Sequence, residues 1–226
     1  MAKKRRSAAP ANAAEDRDMK AAELAATLPD DRAGLLAVAL AAVSAMHAAV
    51  LDADDKAAGT AADRYEAVVW KLNGGTFAGS RDVANPDAAG HLVEQHCSAA
   101  PGTVPMWGQR GEFLITVSGV RAVVELGEGF GRFRIGFAFH VVDADKPFIS
   151  ETGYKSHFET YKGGRTVEQA AIAVFSACLA EGRCMLDAEY RERFAVKPCR
   201  PWLAPAPATP AELAHEEPGG QLAFGF

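Results

Sequence analysis

Three stretches in the second half of the chain alternate apolar and polar residues with the period of two that is typical of β-strands. The stretches are residues 112–117, 120–126 and 132–142. The dipeptide Ser118-Gly119 separates the first two, and Gly127-Glu128-Gly129 separates the second from the third. Strands joined by connections this short pair antiparallel. The pattern therefore predicts an antiparallel meander of three or four strands.

Apolar residues recur at helical spacing before and after these strands. One helix is predicted from a cap at Asp30 or Asp31 to about Leu51, and a second from a capping box at Thr60 and Asp63 to the terminator Asn73-Gly74. Further helices are predicted at 90–97, 166–181 and 187–194. This order predicts an α+β fold with the helices packed on one face of the sheet.

The third strand has two chemically different faces because side chains alternate along a strand. The face that we expect to form the core carries Phe133, Ile135, Phe137, Phe139 and Val141. The other face begins with Arg132 and Arg134, has small residues in its middle and reaches His140 near its end. We predict that this second face stays open and forms part of a contact surface.

The loop after this strand collects polar and charged side chains, and loops held by a rigid strand often have a functional role. We predict a ligand or partner surface made of Arg132, Arg134, His140, Ser150, Glu151, Tyr154 and Lys155. The alternative is a metal-dependent nuclease or other hydrolase, with the catalytic groups His140, Asp143, Glu151 and His157. No pair among these four has a known metal-ligand spacing such as HExxH. We therefore predict no metal site and no cofactor, and we favour a protein that is not an enzyme.

The composition is that of an ordinary globular protein, with 49% hydrophobic and 23% charged residues. A net charge of −5 excludes a wholly basic nucleic-acid coat but leaves room for local basic patches.

Reduced, structural thiols are expected because no CxxC pair occurs among Cys97, Cys178, Cys184 and Cys199. The first residues contain no secretory signal, so we expect a cytoplasmic protein. The uncharged stretch Ala33–Leu51 is long enough to span a membrane, but alanine inserts poorly, and we predict a buried or amphipathic helix without membrane contact.

Both ends of the chain differ in composition from the middle. We predict a disordered basic tail at 1–29, a single domain at 30–197 (helical part 30–100, sheet and helix 104–197), and a Pro-rich tail at 198–226. The cluster that we expect to contact phosphate is Lys3, Lys4, Arg5 and Arg6. The apolar C-terminal peptide contains Gln221, Leu222, Phe224 and Phe226. It resembles the Gln-Leu-x-Leu-Phe peptides that bind bacterial sliding clamps, and the alternative is that it packs on its own domain.

Three blocks of the sequence resemble uncharacterised accessory proteins of proteobacterial plasmids and integrative elements. The blocks are Asp63–Thr76, Val104–Gly108 and Phe148–Ser156. The resemblance implies a cytoplasmic role around mobile DNA, in maintenance, transfer control or evasion of host defence. Our first hypothesis is therefore a binding module that acts on DNA-processing or host-defence machinery and contacts DNA through local basic patches. The alternatives are the hydrolase described above and a structural or oligomerising protein.

Overall fold

Helices occupy the first half of the chain, and an antiparallel sheet occupies most of the second. The computed structural model describes residues 9–127, 135–159, 163–196 and 200–203. Its elements, in chain order, are α1 Ala9–Ala25, α2 Arg32–Leu51, α3 Asp55–Leu72, α4 Ala89–Cys97, β1 Gly111–Val117, β2 Val120–Gly127, β3 Ile135–Val141, β4 Tyr154–Glu159, α5 Val167–Glu181, α6 Ala188–Val196 and a 3-10 turn at Pro201–Leu203. The predicted α+β class and antiparallel meander are confirmed.

Three of the helices begin where a side chain caps their free N–H groups. Helices α2 and α5 begin at the predicted caps, Asp31 and Thr166. Helix α3 begins earlier than predicted because Asp54, not Thr60, caps it and accepts a hydrogen bond from the Ala57 N–H at 2.9 Å. The Thr60 hydroxyl instead donates to a carbonyl one turn back in the same helix, at 3.0 Å.

Helix α1 lies where the sequence predicts a disordered tail. Its charged side chains explain the difference, since Arg17 forms an ion pair with Glu66 and Lys20 forms one with Asp63. Both carboxylates belong to α3, far along the sequence. The composition of residues 1–29 therefore gives no sign of the partners that hold this helix in place.

The four strands form one sheet in the order β1-β2-β3-β4, with each strand antiparallel to the next. Ser118 and Gly119 make the β1–β2 turn with φ of 50° and 77°, the positive values of a type I′ hairpin turn. The register pairs Val123 with His140 and His140 with Tyr154, which puts these three side chains on one face. The opposite face is buried and carries Phe113, Ile115, Val124, Leu126, Phe137 and Phe139.

One continuous buried cluster joins this sheet face to the helices. The ring of Phe175 in α5 lies 5.2 Å from that of Phe139, and the Trp107 indole lies 6.4 Å from the ring of Phe137. The backbone N–H of Trp107 also donates to Nδ1 of His47 in α2, at 3.1 Å. The helical half and the sheet half therefore share their core.

A second contact joins the two halves at the turn between α2 and α3. The Gly164 N–H donates to the Val50 carbonyl at 2.9 Å. Gly163 lies so close to this turn that a Cβ atom on it would be 2.5 Å from the Cβ of Ala53. Ala53 itself has a φ of 56°, an uncommon value for a residue other than glycine.

Helix α2 is long and apolar enough, by length and composition, to cross a membrane. Within this protein, 39% of its most apolar window is buried. The buried side chains pack into the shared core and include Leu35, Val43, Met46 and Val50. These contacts agree with the predicted core helix and leave an alanine-rich side of α2 exposed.

Candidate nucleic-acid interface

The sheet face that we predict to be open is covered at one end by residues 200–203 of the same chain. Arg200 Nε and Trp202 Nε1 each donate a hydrogen bond to the carboxylate of Glu112 in β1, both at 2.6 Å. Burial alone would raise the pKa of Glu112, but the hydrogen bonds from Trp202 and Arg200 hold it below its usual range. A charged carboxylate thus anchors this segment to the sheet.

His140 lies in the middle of the open face. Its side chain is 18% exposed, its Nε2 is 3.3 Å from the carboxylate of Glu125, and its ring centroid is 5.2 Å from that of Tyr154. The described centre of this face therefore holds an imidazole–carboxylate pair. The positive charge that we predict for this sheet face comes from Arg132 and Arg134, which lie outside the described residues.

Asp143, at the start of the loop after β3, is held by two cations. Arg121 Nε donates to its Oδ2 at 3.0 Å, a second guanidinium nitrogen contacts Oδ1, and Lys146 Nζ lies 3.5 Å from Oδ2. The hydrogen bonds from Arg121 hold the pKa of Asp143 below its usual range, against the opposing effect of burial. This carboxylate is consequently occupied by its own neighbours.

The remaining residues of the predicted surface do not share one face. Tyr154 stands beside His140 on the open face, whereas Lys155 pairs across the strands with Phe139 and lies on the opposite side, because side chains alternate. The Ser150 hydroxyl is 2.9 Å from that of Thr152, within the loop. The structure thus brings Tyr154 and His140 together and separates them from Lys155.

The four groups of the hydrolase alternative do not form one cluster. His140 lies on the open face, whereas His157 pairs with Phe137 and lies on the opposite one. Asp143 is bound to Arg121, and Glu151 is exposed in the loop. Within 9–127, 135–159, 163–196 and 200–203, no group of three or more His, Cys, Asp and Glu side chains could hold a metal ion.

Two further predicted clusters and one cysteine lie outside the described residues and stay predictions. They are Lys3, Lys4, Arg5 and Arg6, the peptide residues Gln221, Leu222, Phe224 and Phe226, and Cys199. Among the described cysteines, Cys97, Cys178 and Cys184 are free thiols. Burial raises the pKa of Cys97 to about 11, which agrees with a structural thiol.

The helical half contains exposed cations that sequence reasoning missed. Carboxylate partners engage Arg17, Lys20, Lys71 and Arg81. By contrast, Arg32, Lys56 and Arg64 are exposed, and the described residues offer them no carboxylate within ion-pair distance. Side chains of this kind are available for a negatively charged ligand.

Lys56 and Arg64 border an open groove of about 570 Å³ between α2 and α3. Thr60 lies between them, and residues 56, 60 and 64 share one helix face because each is four residues from the next. Small apolar side chains line the groove, namely Val38, Ala41, Ala42, Ala45, Ala57 and Ala61, and the carboxylate of Asp54 lies at its edge. The spacing of 56, 60 and 64 predicts that these residues share a helix face, but it does not predict the groove that α2 forms beside them.

Comparison with known proteins finds two domain families that each match a part of the chain. Residues 20–96 match the family described as the KlcB N-terminal DNA-binding domain, and residues 110–202 match the KlcB third domain. The first match contains α2, α3, the groove just described and all of α4 except its last residue, Cys97. The second contains the sheet, α5 and α6.

Two curated relatives from Escherichia coli, both named Protein KlcB, are 53% and 49% identical to the chain over 191 and 216 residues. The alignments cover 84% and 92% of this chain but 41% and 53% of the relatives, so the chain spans about half the length of the curated relatives it matches. No solved structure matches the chain significantly.

Proposed function

We propose that the chain is a KlcB-type, DNA-binding accessory protein whose helical half contacts the DNA backbone, because two of its segments match KlcB domain families and two KlcB proteins are 53% and 49% identical to it. The observation that carries this proposal is the match of residues 20–96 to a DNA-binding domain of that family. The groove between α2 and α3 lies within the matched stretch and supplies the contact surface.

Lys56 and Arg64 are the proposed phosphate-binding residues. Both are exposed on one face of α3, and eight residues of helix separate them by about 12 Å. Two cations at this distance can contact different phosphates of one duplex, and Lys and Arg are the usual donors to phosphate oxygens. The alanine side chains beside them are short, so a DNA backbone can approach the helix surface closely.

Binding at this face depends on local charge and not on the charge of the whole domain. Acidic residues outnumber basic ones within 20–96, and the net charge of the chain is −5. The carboxylates of Asp54 and Asp55 at the start of α3 repel phosphate that approaches from that end. We therefore expect weak binding with a strong salt dependence, to which the predicted cluster Lys3–Arg6 adds charge.

For the biological role, we propose an accessory protein of a mobile genetic element that acts in the cytoplasm on DNA-processing or host-defence machinery. The blocks Asp63–Thr76 and Phe148–Ser156, which resemble plasmid accessory proteins, support this proposal, and each lies in one of the matched domains. The C-terminal peptide Gln221–Phe226 is the proposed contact for a protein partner such as a sliding clamp.

The test replaces Lys56 and Arg64 together by glutamine and measures binding to a labelled DNA duplex by fluorescence anisotropy at several salt concentrations. We expect weaker binding and a shallower slope of log K against log salt, by about 0.9 for each phosphate that the variant no longer neutralises. Circular dichroism checks that the variant keeps the native helix content.

A matched control replaces two exposed arginines of α6, Arg191 and Arg193, by glutamine and should bind like the wild type. A further variant, Arg132→Ala with Arg134→Ala, tests the sheet face in the same assay. If the Lys56/Arg64 variant is folded but keeps the wild-type affinity and salt slope, this face of α3 does not bind DNA.

A further inference from the structure

A small cavity beside the β1–β2 turn has an excess of positive charge. Its volume is about 140 Å³, and three cations line it, Arg121, Lys146 and Arg183. The carboxylate of Asp143 is the acidic group in the same lining. The cavity lies in the sheet half, at the opposite end of the strands from Trp107 and well away in sequence from the groove on α3.

Asp143 orients Arg121 without using up its hydrogen-bonding capacity. The carboxylate binds Nε and one terminal nitrogen of the guanidinium. A guanidinium has five N–H donors in a fixed plane, so the remaining donors are available on the side away from Asp143. Because the pair is bidentate, the plane of Arg121 is fixed before any ligand arrives.

Arg183 is the cation of this cavity that does not share the carboxylate of Asp143. The described residues contain no carboxylate within ion-pair distance of it and no hydrogen-bond partner for its guanidinium. Its position is nevertheless defined, since the next residue, Cys184, exchanges two backbone hydrogen bonds of 2.8 Å with Phe148. Phe148 is fully buried and also lines the cavity.

The cavity is suited to a small, compact anion. Its volume is several times the roughly 30 Å³ that one water molecule occupies in the liquid, which is enough room for a phosphate group. Two arginines and a lysine around one space are the donors that recognise phosphate oxygens, because arginine binds two of them at once. The buried side chains of Val120, Val141 and Phe148 lower the local dielectric constant and strengthen these charge interactions.

We propose that this cavity binds a phosphate group, supplied either by the DNA backbone or by a small phosphorylated molecule. The site is separate from the groove on α3 and lies in the segment that matches the KlcB third domain, whose description names no ligand.

The test uses the full chain, labelled with ¹⁵N, and inorganic phosphate as the probe in a phosphate-free buffer. We expect saturable shifts of the backbone amide signals of Ser118, Gly119 and Lys146 and of the Arg183 side-chain signal. Arg183→Gln should weaken phosphate binding about tenfold, since it removes a charge-assisted contact. Arg165→Gln, the same change near the opposite end of the sheet, should titrate like the wild type.

Duplex DNA distinguishes the two sources of the phosphate. If the phosphate comes from the DNA backbone, Arg183→Gln also reduces the salt slope of DNA binding by about 0.9. If it comes from a small molecule, that slope stays unchanged while the binding of inorganic phosphate is weakened. Lys146→Gln provides a second variant should Arg183→Gln disturb the amide spectrum.

Identical phosphate titrations and identical DNA salt slopes for the wild type, Arg183→Gln and Lys146→Gln would overturn the proposal. The Lys56/Arg64 variant should respond to inorganic phosphate like the wild type. A failure of this site therefore leaves the DNA-binding proposal for α3 intact, and the reverse also holds.

Discussion

Glu112 illustrates how one carboxylate can hold a remote segment of the chain. It lies in β1 and accepts hydrogen bonds from Arg200 and Trp202, 88 and 90 residues further along. Its side chain is 27% exposed, so water competes only in part for these bonds. The segment that contains Trp202 is thereby fixed over one end of the open sheet face.

We expect Glu112→Gln to lower the free energy of unfolding by about 1 kcal/mol at pH 7, because hydrogen bonds to a charged group are removed at a partly exposed site. The pKa of Glu112 is lower in the folded than in the unfolded protein. The stabilisation is therefore complete above the ordinary glutamate value of about 4.3 and disappears as the pH falls through the lower folded value.

Chemical denaturation followed by fluorescence, at pH 7 and at a series of acidic pH values, measures this effect. The wild type and Glu112→Gln should differ at pH 7 and converge in acid. Glu192→Gln, an exposed glutamate in α6, should match the wild type throughout. A difference between the wild type and Glu112→Gln that does not change with pH would contradict the role of the charge.

At the scale of elements, α1 is held by a side chain of α3. Lys71 Nζ donates to the carbonyls of Ala25 and Leu28 at 3.0 and 2.9 Å and forms an ion pair with Asp30 at 2.8 Å. The carbonyls at a helix C-terminus have no partner within the helix. Lys71 supplies those partners and so fixes the end of α1 and the turn that leads to α2.

We expect Lys71→Met, which keeps the length and apolar stem of the side chain, to destabilise the protein by about 1–2 kcal/mol. Amide hydrogen exchange should show lower protection in α1 than in the wild type, with α3 less affected. Lys56→Met, on the same helix but without carbonyl partners, is the control and should leave α1 unchanged. Equal protection of α1 in Lys71→Met and the wild type would refute this role.

The elements that the sequence predicts well are those with local signals. The Ser118-Gly119 turn and the Thr166–Gln169 capping box are each defined by neighbouring residues, and both are present. Helix α1 escapes prediction because its stabilising partners, Glu66 and Asp63, are remote in sequence. For a similar reason, Lys56 gains significance only when α2 places an apolar groove beside it. Local patterns therefore predict elements, whereas the candidate site depends on tertiary contacts.

At the scale of the whole molecule, the two matched domains are not separate bodies. The matches end at residue 96 and resume at 110, and Trp107 lies between them. Trp107 is buried in the shared core and is connected to α2 through the hydrogen bond from its backbone N–H to His47. We therefore expect the helical and sheet halves to unfold together.

The His47 contact makes this joint sensitive to pH. Burial lowers the pKa of His47 in the folded protein below the ordinary value of 6.5, and its Nδ1 accepts a hydrogen bond, which requires an unprotonated Nδ1. Below pH 6.5 the unfolded chain binds a proton more readily than the folded one. The stabilisation is therefore complete above about pH 6.5 and is lost as the pH falls through the folded value.

We expect His47→Asn, which keeps a hydrogen-bond acceptor but cannot take up a proton, to lose less stability than the wild type between pH 7.5 and pH 5. Urea denaturation at both pH values measures this difference. At pH 7.5 the substitution should lower the free energy of unfolding by about 1 kcal/mol or less. His96→Asn, an exposed histidine at the end of α4, should keep the wild-type pH dependence. If His47→Asn loses stability with falling pH as steeply as the wild type does, another group is responsible.

The close approach of Gly163 to Ala53 has a consequence for which sequences this architecture accepts. Carbon atoms of residues remote in sequence cannot approach to 2.5 Å, which is far inside their van der Waals contact distance, so any side chain at position 163 forces the α2–α3 turn and the segment before α5 apart. The displaced turn is the one from which α3 and Lys56 begin. Position 163, in the sheet half, is therefore a steric determinant of the groove in the helical half, although it contributes no atom to the groove lining.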